Sequence, residues 1–209
     1  MTDITTSRKR PWLGIRNGVF ICAAVVITMV VGRLWLLLTF GGSVPFWDQW
    51  GGENSLFGPA TDGTLSLSQL LAAHNEHRIF WTRLTTIALF LLNGKQWDNT
   101  VEAAFTVMLF GGAALFPLWV VARSLPKRGL AIFFSISLLG ALLPYAWENL
   151  LVGFQSQFVY CSLFSMAAIY IAGCRDVHPG NLACVFFLLA AAFLSMATGV
   201  LAALAVTTV

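Results

Sequence analysis

Long runs of apolar residues constrain the fold of this sequence more than any other feature. A helix needs about 20 mostly apolar residues to cross the hydrocarbon core of a bilayer. Five runs approach or exceed this length, at residues 18–40, 101–122, 130–147, 157–173 and 181–197. We therefore predict an all-α fold, a polytopic bundle of transmembrane helices that forms a single domain.

The composition supports the same prediction. Hydrophobic residues make up 58% of the 209 positions and charged residues only 10%, whereas a soluble domain carries about 25% charged residues. Such a chain cannot cover its surface with polar groups in water, which excludes a soluble protein. A sixth apolar run, residues 200–209, is too short to cross a bilayer. We therefore predict a partial sixth span and expect this sequence to be the N-terminal part of a longer protein.

The basic N-terminal segment, MTDITTSRKRPWLGIRNG, has the charge of a signal-peptide start. The apolar run after it extends to about residue 40, which is longer than the 7–15 residues of a cleaved signal. No small-x-small cleavage pattern follows. We predict a retained first transmembrane helix, with the N-terminus in the cytoplasm and the protein in the inner (plasma) membrane.

The orientation of the later loops depends on residues 79–93, IFWTRLTTIALFLLN. If this segment does not span, eight Lys and Arg residues lie in the cytoplasm and three lie outside, as the positive-inside rule favours. Its apolar stripe is typical of a helix in the membrane interface; the stripe comprises Phe80, Leu84, Ile87 and Leu91. We predict an interfacial helix within an outer loop, residues 41–100. The apolar stretch 87–92 leaves a spanning placement open as the alternative.

The cysteines and the net charge exclude other classes of function. The four cysteines lie in or beside apolar runs without CxxC spacing, so we expect small buried thiols and no metal or redox site. The net charge is +3, and Lys and Arg cluster in a few loops. This pattern indicates membrane orientation and contact with membrane lipid, not a nucleic-acid partner.

In this topology the polar segments converge on the outer side, and Asp48 is the first of them. It lies between Trp47 and Trp50 in VPFWDQW. The tryptophans suit an aromatic belt at the membrane surface. The acid is either an ordinary loop residue or a group that accepts a proton or binds a divalent cation.

The second polar segment is HNEHR, which contains His74, Glu76, His77 and Arg78. Its histidines are spaced i and i+3, whereas zinc-protease helices carry HExxH with i and i+4 spacing. Hydrogen bonds to a substrate phosphate, or between the side chains, are the favoured interpretation, and a metal site is the alternative. Arg78 either contacts a lipid phosphate or extends to the interface.

The third segment, WENLLVGFQSQF, contains Glu148, Asn149, Gln155 and Gln157 among apolar neighbours. Polar groups at membrane depth usually face a cavity or pair with one another. We predict that these residues line a cavity, with a solvated turn as the alternative. Arg33, within the first apolar run, either extends outward or pairs with an outer acid such as Asp48 or Glu148.

The layout of these segments resembles the GT-C class of membrane glycosyltransferases. One N-terminal span is followed by an outer loop that opens with an acid (PFWDQW) and continues into an amphipathic helix (HNEHRIFWTRL). WENLLVGFQSQF and SMATG are similar to elements of an uncharacterised bacterial branch related to that class. The resemblance implies transfer of a sugar from a polyprenyl-phosphate carrier on the extracytoplasmic side.

The resemblance also implies roles for two acids. Asp48 matches the catalytic acid of the first outer loop, and Glu53 is the nearest candidate for a second acid. A polyprenyl-phosphate-linked sugar carries its own leaving group, so no nucleotide is needed at the outer face; no cofactor is assigned, and the use of a divalent cation stays open. Arg78 and the histidines are expected to balance charge on the departing phosphate.

Two other functions use similar features. A lipid or solute transporter also gathers polar residues in a membrane cavity, but repeated halves and polar groups near mid-bilayer are expected of it. A non-catalytic membrane scaffold is expected to lack the outer-loop acid, and Asp48 is present.

Overall fold

Helices account for the secondary structure of the chain, as the apolar runs predict. The computed structural model describes residues 15–143 and 147–208, and within them the only extended pairing is a single bridge between His74 and His77. The α-helices of these residues are α1 (Ile15–Phe40), α2 (Asp48–Asp62), α3 (Leu67–Leu70), α4 (Phe80–Leu92), α5 (Asn99–Ala122), α6 (Lys127–Leu142), α7 (Glu148–Leu151), α8 (Ser156–Cys174), α9 (Pro179–Phe193) and α10 (Val200–Val206). The predicted all-α fold is confirmed.

Three helices in the described part of the chain are long and apolar enough to cross a membrane. They are Val19–Phe40, Asn99–Ala122 and Gly153–Cys174. The protein is therefore a membrane protein. Residues 1–14 of the basic N-terminal segment and residues 144–146 of the predicted third run lie outside the described residues.

Two predicted spans fold as shorter helices. The helix α6 has 16 residues and α9 has 15, which at 1.5 Å per residue is about 22–24 Å, less than the bilayer core of about 30 Å. Leu143 ends α6 in an extended conformation, as expected of a residue that precedes a proline in the sequence. Pro179 is the first residue of α9, and a 3-10 turn, Ala197–Gly199, separates α9 from α10.

The apolar core lies where α1 packs against α5 and α6. Buried side chains from these three helices form one cluster: Cys22, Val25, Val26, Met29, Leu118, Ala122, Leu130, Phe134 and Ala141. Gly111 permits the close approach of α1 and α5, because a Cβ atom there would lie 2.4 Å from Val30 Cγ2. Small residues at helix contacts are typical of membrane bundles. The expectation of buried thiols holds for Cys22 and Cys161, whereas Cys174 and Cys184 are exposed.

Helix α4 begins and finishes on the same side of the helical bundle. We call this side the Asn99 end. Here α1 ends and α5 begins, since Asn99 donates to Gly42 O and, through its backbone N–H, to Ser43 O. The first residue of α4, Phe80, donates to Leu194 O just beyond α9. Residues 95–98 then return the chain to α5. This path is the one expected of a helix that lies along the end of the bundle, and its placement in the membrane interface stays a prediction.

The polar face of α4 packs against protein. Thr82 accepts from Ser156 Oγ at 2.9 Å, and Thr85 and Tyr160 share a hydrogen bond of 2.6 Å. Leu84 and Leu91 of the apolar stripe are exposed instead. In a bilayer this arrangement is reasonable, because lipid solvates the leucines and the protein satisfies the hydroxyl groups.

Candidate functional site

Asp48 is exposed at the N-terminus of α2, and the local sequence holds it there. The Gln49 side-chain oxygen accepts from Phe46 N–H at 2.8 Å, and the Trp50 indole donates to Pro45 O at 2.9 Å. Trp47 adopts a positive φ of 48°, in the region that side chains other than glycine rarely occupy. Backbone conformations of this kind often occur at functional sites.

Two of the predicted site residues lie close to Asp48 although they are about 100 residues away in sequence. A small cavity of about 40 Å³ is lined by Asp48, Glu148 and Gln155, with apolar walls from neighbouring residues. The Gln155 side-chain oxygen is buried without a hydrogen-bond donor. Two carboxyl groups and an amide therefore share one small opening at the Asn99 end of the bundle.

A larger cavity of about 340 Å³ adjoins the first, because Gln155 lines both. Arg33, Asn149 and Ser162 provide its other polar lining, and the remaining walls are apolar. The Arg33 guanidinium lies 3.8 Å from the centre of the Phe110 ring, and its Nε donates to Ala141 O at 2.9 Å. A positive charge is thus held at a wall of an apolar cavity beside the acidic opening.

The histidines pair through their backbones. His74 and His77 exchange N–H to C=O hydrogen bonds of 2.9 and 3.0 Å around a tight turn, in which Asn75 has a φ of 50°. The His74 ring packs edge-on against Phe154, and burial lowers the pKa of His74 although Asp48 opposes this change. The His77 Nδ1 accepts from the backbone N–H of Ala197 at 3.3 Å. Both imidazoles therefore have structural contacts.

The other predicted site residues are dispersed. Glu76 and Arg78 are exposed, and Arg78 donates to Leu71 O. Gln157 is buried, and its side-chain oxygen has no donor. Glu53 is fully buried behind Asp48 and lines neither cavity described above. No group of three or more metal-ligating side chains occurs within the described ranges.

A buried polar layer lies behind Asp48, and of its residues only Glu53 was predicted from the sequence. Glu53 accepts from Thr86 Oγ1 at 2.8 Å, and Glu102 accepts from Gln49 Nε2 at 3.2 Å. Arg83 donates to four backbone oxygens, those of Gly52, Gln69, Leu70 and Ala72. The i, i+4 spacing of Gln49 and Glu53 could have indicated a polar stripe on one face of α2. Their partners on α4 and α5 are distant in sequence and could not be predicted from that spacing.

Comparisons with known proteins identify no relative. Family models, curated proteins and solved structures were each searched, and none matches this chain.

Proposed function

We propose that this protein is a membrane glycosyltransferase that uses a polyprenyl-phosphate-linked sugar as its donor, with Asp48 as the general base. The observation that carries the proposal is the exposed Asp48 carboxyl group, which lies beside Glu148 and Gln155 and next to an apolar cavity that contains Arg33. An acid that water can reach suits an acceptor dissolved in water. A cation in an apolar cavity suits a donor that is carried by lipid.

The proposed reaction uses each of these groups in one step. The acceptor hydroxyl loses its proton to Asp48 as its oxygen attacks the anomeric carbon of the sugar. The bond between that carbon and the phosphate oxygen breaks, and the polyprenyl phosphate leaves with the bonding electrons. Arg33 lines the adjoining cavity and can compensate the phosphate charge, a role expected of an arginine because its guanidinium donates two parallel hydrogen bonds.

Arg33 replaces Arg78 in this assignment. Arg78 lies on the exposed side of the histidine turn and donates to Leu71 O, whereas Arg33 lines the cavity beside the acids. Trp47 and Trp50, 69% and 51% exposed on either side of Asp48, suit the headgroup region of a bilayer. With the N-terminus in the cytoplasm, as the distribution of Lys and Arg favours, the site faces the extracytoplasmic side of the inner membrane.

The test compares the wild type with Asp48→Asn and a matched control, Asp62→Asn, at the exposed far end of the same helix. Membranes containing the protein at its full native length receive a radiolabelled polyprenyl-phosphate hexose, and release of the label from lipid is measured. Asp48→Asn should lower the initial rate by about 10²–10⁴-fold, the usual contribution of a positioned general base.

The control should retain the wild-type rate. An Asp48→Asn variant as active as the wild type would show that Asp48 is not the base. A wild type that releases no sugar from any polyprenyl-phosphate donor, although it is folded in the membrane, would favour a non-catalytic scaffold.

A further inference from the structure

Two glutamates, one on α2 and one on α5, are buried. Glu53, on the inner face of α2, is 0% exposed, and Glu102, in the first turn of α5, is 4% exposed. Gln49 lies one turn before Glu53 on the buried face of α2 and donates to Glu102 Oε2 at 3.2 Å, which brings the two carboxyl groups close together. Charged side chains are almost never buried this completely without a partner of opposite charge.

The hydrogen-bond donors around the pair are too few for two carboxylates. Thr86 donates to one oxygen of Glu53, and Gln49 donates to one oxygen of Glu102. The second oxygen of Glu53 is buried and has no donor. An ionised carboxyl group can only accept hydrogen bonds, so two carboxylates in contact would place acceptor against acceptor.

Positive charge near the pair is also limited. Arg83, on α4, is the charged side chain that acts on Glu53, but its N–H groups donate to backbone oxygens. The other groups that face the pair are neutral. They are Gln49 of α2, Thr86 of α4 and the indole of Trp97, whose N–H makes no hydrogen bond of ordinary geometry.

We propose that Glu53 and Glu102 hold at least one proton between them at neutral pH, and that this proton forms a carboxyl–carboxylate hydrogen bond that joins α2 to α5. The bond supplies the missing donor to Glu53 and removes one of the two buried charges. When the proton leaves to water, two like charges remain in contact in a site without solvent, which weakens the contact between the helices.

The proton affects the position of Asp48, because Asp48 and Glu53 lie on the same helix, α2. Burial raises the pKa of Glu53 to about 7, although the hydrogen bond from Thr86 opposes this change. The first proton of the pair is lost from Glu53, so the stabilisation from a fully neutral pair is complete below about pH 4.5 and is lost as the pH rises through about 7. The remaining proton then forms the carboxyl–carboxylate bond, and its loss at still higher pH leaves the two like charges. This inference rests on the burial of the pair and is independent of the proposed transferase activity.

The test measures the midpoint of thermal unfolding in lipid nanodiscs from pH 5 to 9. The Glu53→Gln/Glu102→Gln double variant replaces the shared proton by amide N–H donors of the same shape. At each pH, the unfolding temperature of the double variant is subtracted from that of the wild type. This difference should fall by about 3–5 °C per pH unit between pH 5 and 7. The exposed acid variant Glu76→Gln should retain the wild-type profile.

A second measurement does not depend on whether the double variant folds. The infrared carbonyl band of a buried protonated carboxyl group should be present in the wild type at pH 6 and should decrease as the pH is raised to 9. A band that is absent at pH 6, or a wild-type pH profile identical to that of the double variant, would overturn the proposal. Stabilisation of the wild type, and not of the double variant, by added Na⁺ or Mg²⁺ at pH 9 would overturn it in favour of a bound cation.

Discussion

Asn99 makes three side-chain hydrogen bonds at the point where α1, α5 and the turn before α8 meet. Its amide nitrogen donates to Gly42 O and Leu151 O, both at 2.9 Å, and its amide oxygen accepts from Gly153 N at 2.9 Å. Asn99 is 3% exposed, so water cannot replace these bonds. The Asn99→Ala substitution therefore removes three bonds and leaves their backbone partners without a hydrogen bond.

The expected loss follows from ordinary magnitudes. A hydrogen bond contributes about 1 kcal/mol net, and each buried group left unsatisfied costs about 1–3 kcal/mol. We expect Asn99→Ala to lower the free energy of unfolding by about 3 kcal/mol or more. For a chain of this length, this corresponds to a decrease of about 6–12 °C in the unfolding temperature.

The assay is thermal unfolding in nanodiscs with a matched control, Asn181→Ala. Asn181 makes one hydrogen bond, to Asp176 O at an exposed site, so its loss should cost less than about 1 kcal/mol. Asn99→Asp keeps the acceptor for Gly153 N but sets a buried carboxylate against the Gly42 and Leu151 carbonyl oxygens, so it should lose at least as much as Asn99→Ala. Equal unfolding temperatures for Asn99→Ala and Asn181→Ala would refute the assigned role of Asn99.

Three further substitutions test the layers around the site, each by thermal unfolding in nanodiscs. Arg83→Lys should lose about 4–8 °C, because an ammonium group cannot reproduce the planar set of donors that binds four backbone oxygens; no loss would contradict this. Gly199→Ala should cost about 1–3 kcal/mol, because its Cβ would lie 2.4 Å from the Ala192 carbonyl carbon, whereas Gly112→Ala meets nothing within 4 Å and should be tolerated. The lowered pKa of His74 predicts that the protein loses stability as the pH falls below the usual histidine value of about 6.5. His74→Gln should therefore reduce the decrease in unfolding temperature between pH 7 and 5. An unchanged profile would contradict this prediction.

The sequence predicted the type of fold better than it predicted helix lengths. Apolar runs predict helices, because a buried or lipid-facing helix needs little more than continuous hydrophobicity. The ends of α6 and α9 depend on local backbone chemistry instead. Leu143 takes an extended conformation before a proline, and Pro179 is the first residue of α9. A hydropathy pattern alone does not identify either of these prolines as a helix boundary.

The candidate site was predicted only in part, because its contacts are long-range. The residues Asp48, Glu148 and Gln155 were selected individually as polar groups in apolar surroundings, and the structure places them at one opening. The buried layer was missed. Glu102 lies inside an apolar run, where a single acid carries little information. The other buried acid, Glu53, belongs to a segment whose sequence resembles an ordinary loop.

The polar layer behind Asp48 is better explained by its effect on the placement of α2 than by a contribution to the stability of the fold. Above about pH 7, a charged Glu53 in a dry site costs up to about 3 kcal/mol, which follows from its raised pKa of about 7 against a usual 4.5. Apolar side chains of similar size at Glu53 and Glu102 would avoid that cost. Hydrogen bonds are directional, however, whereas apolar contacts are not. A general base must lie within hydrogen-bond reach of the proton that it accepts. A polar layer that fixes the placement of α2 therefore serves the proposed role of Asp48 in a way that an apolar contact of equal area would not.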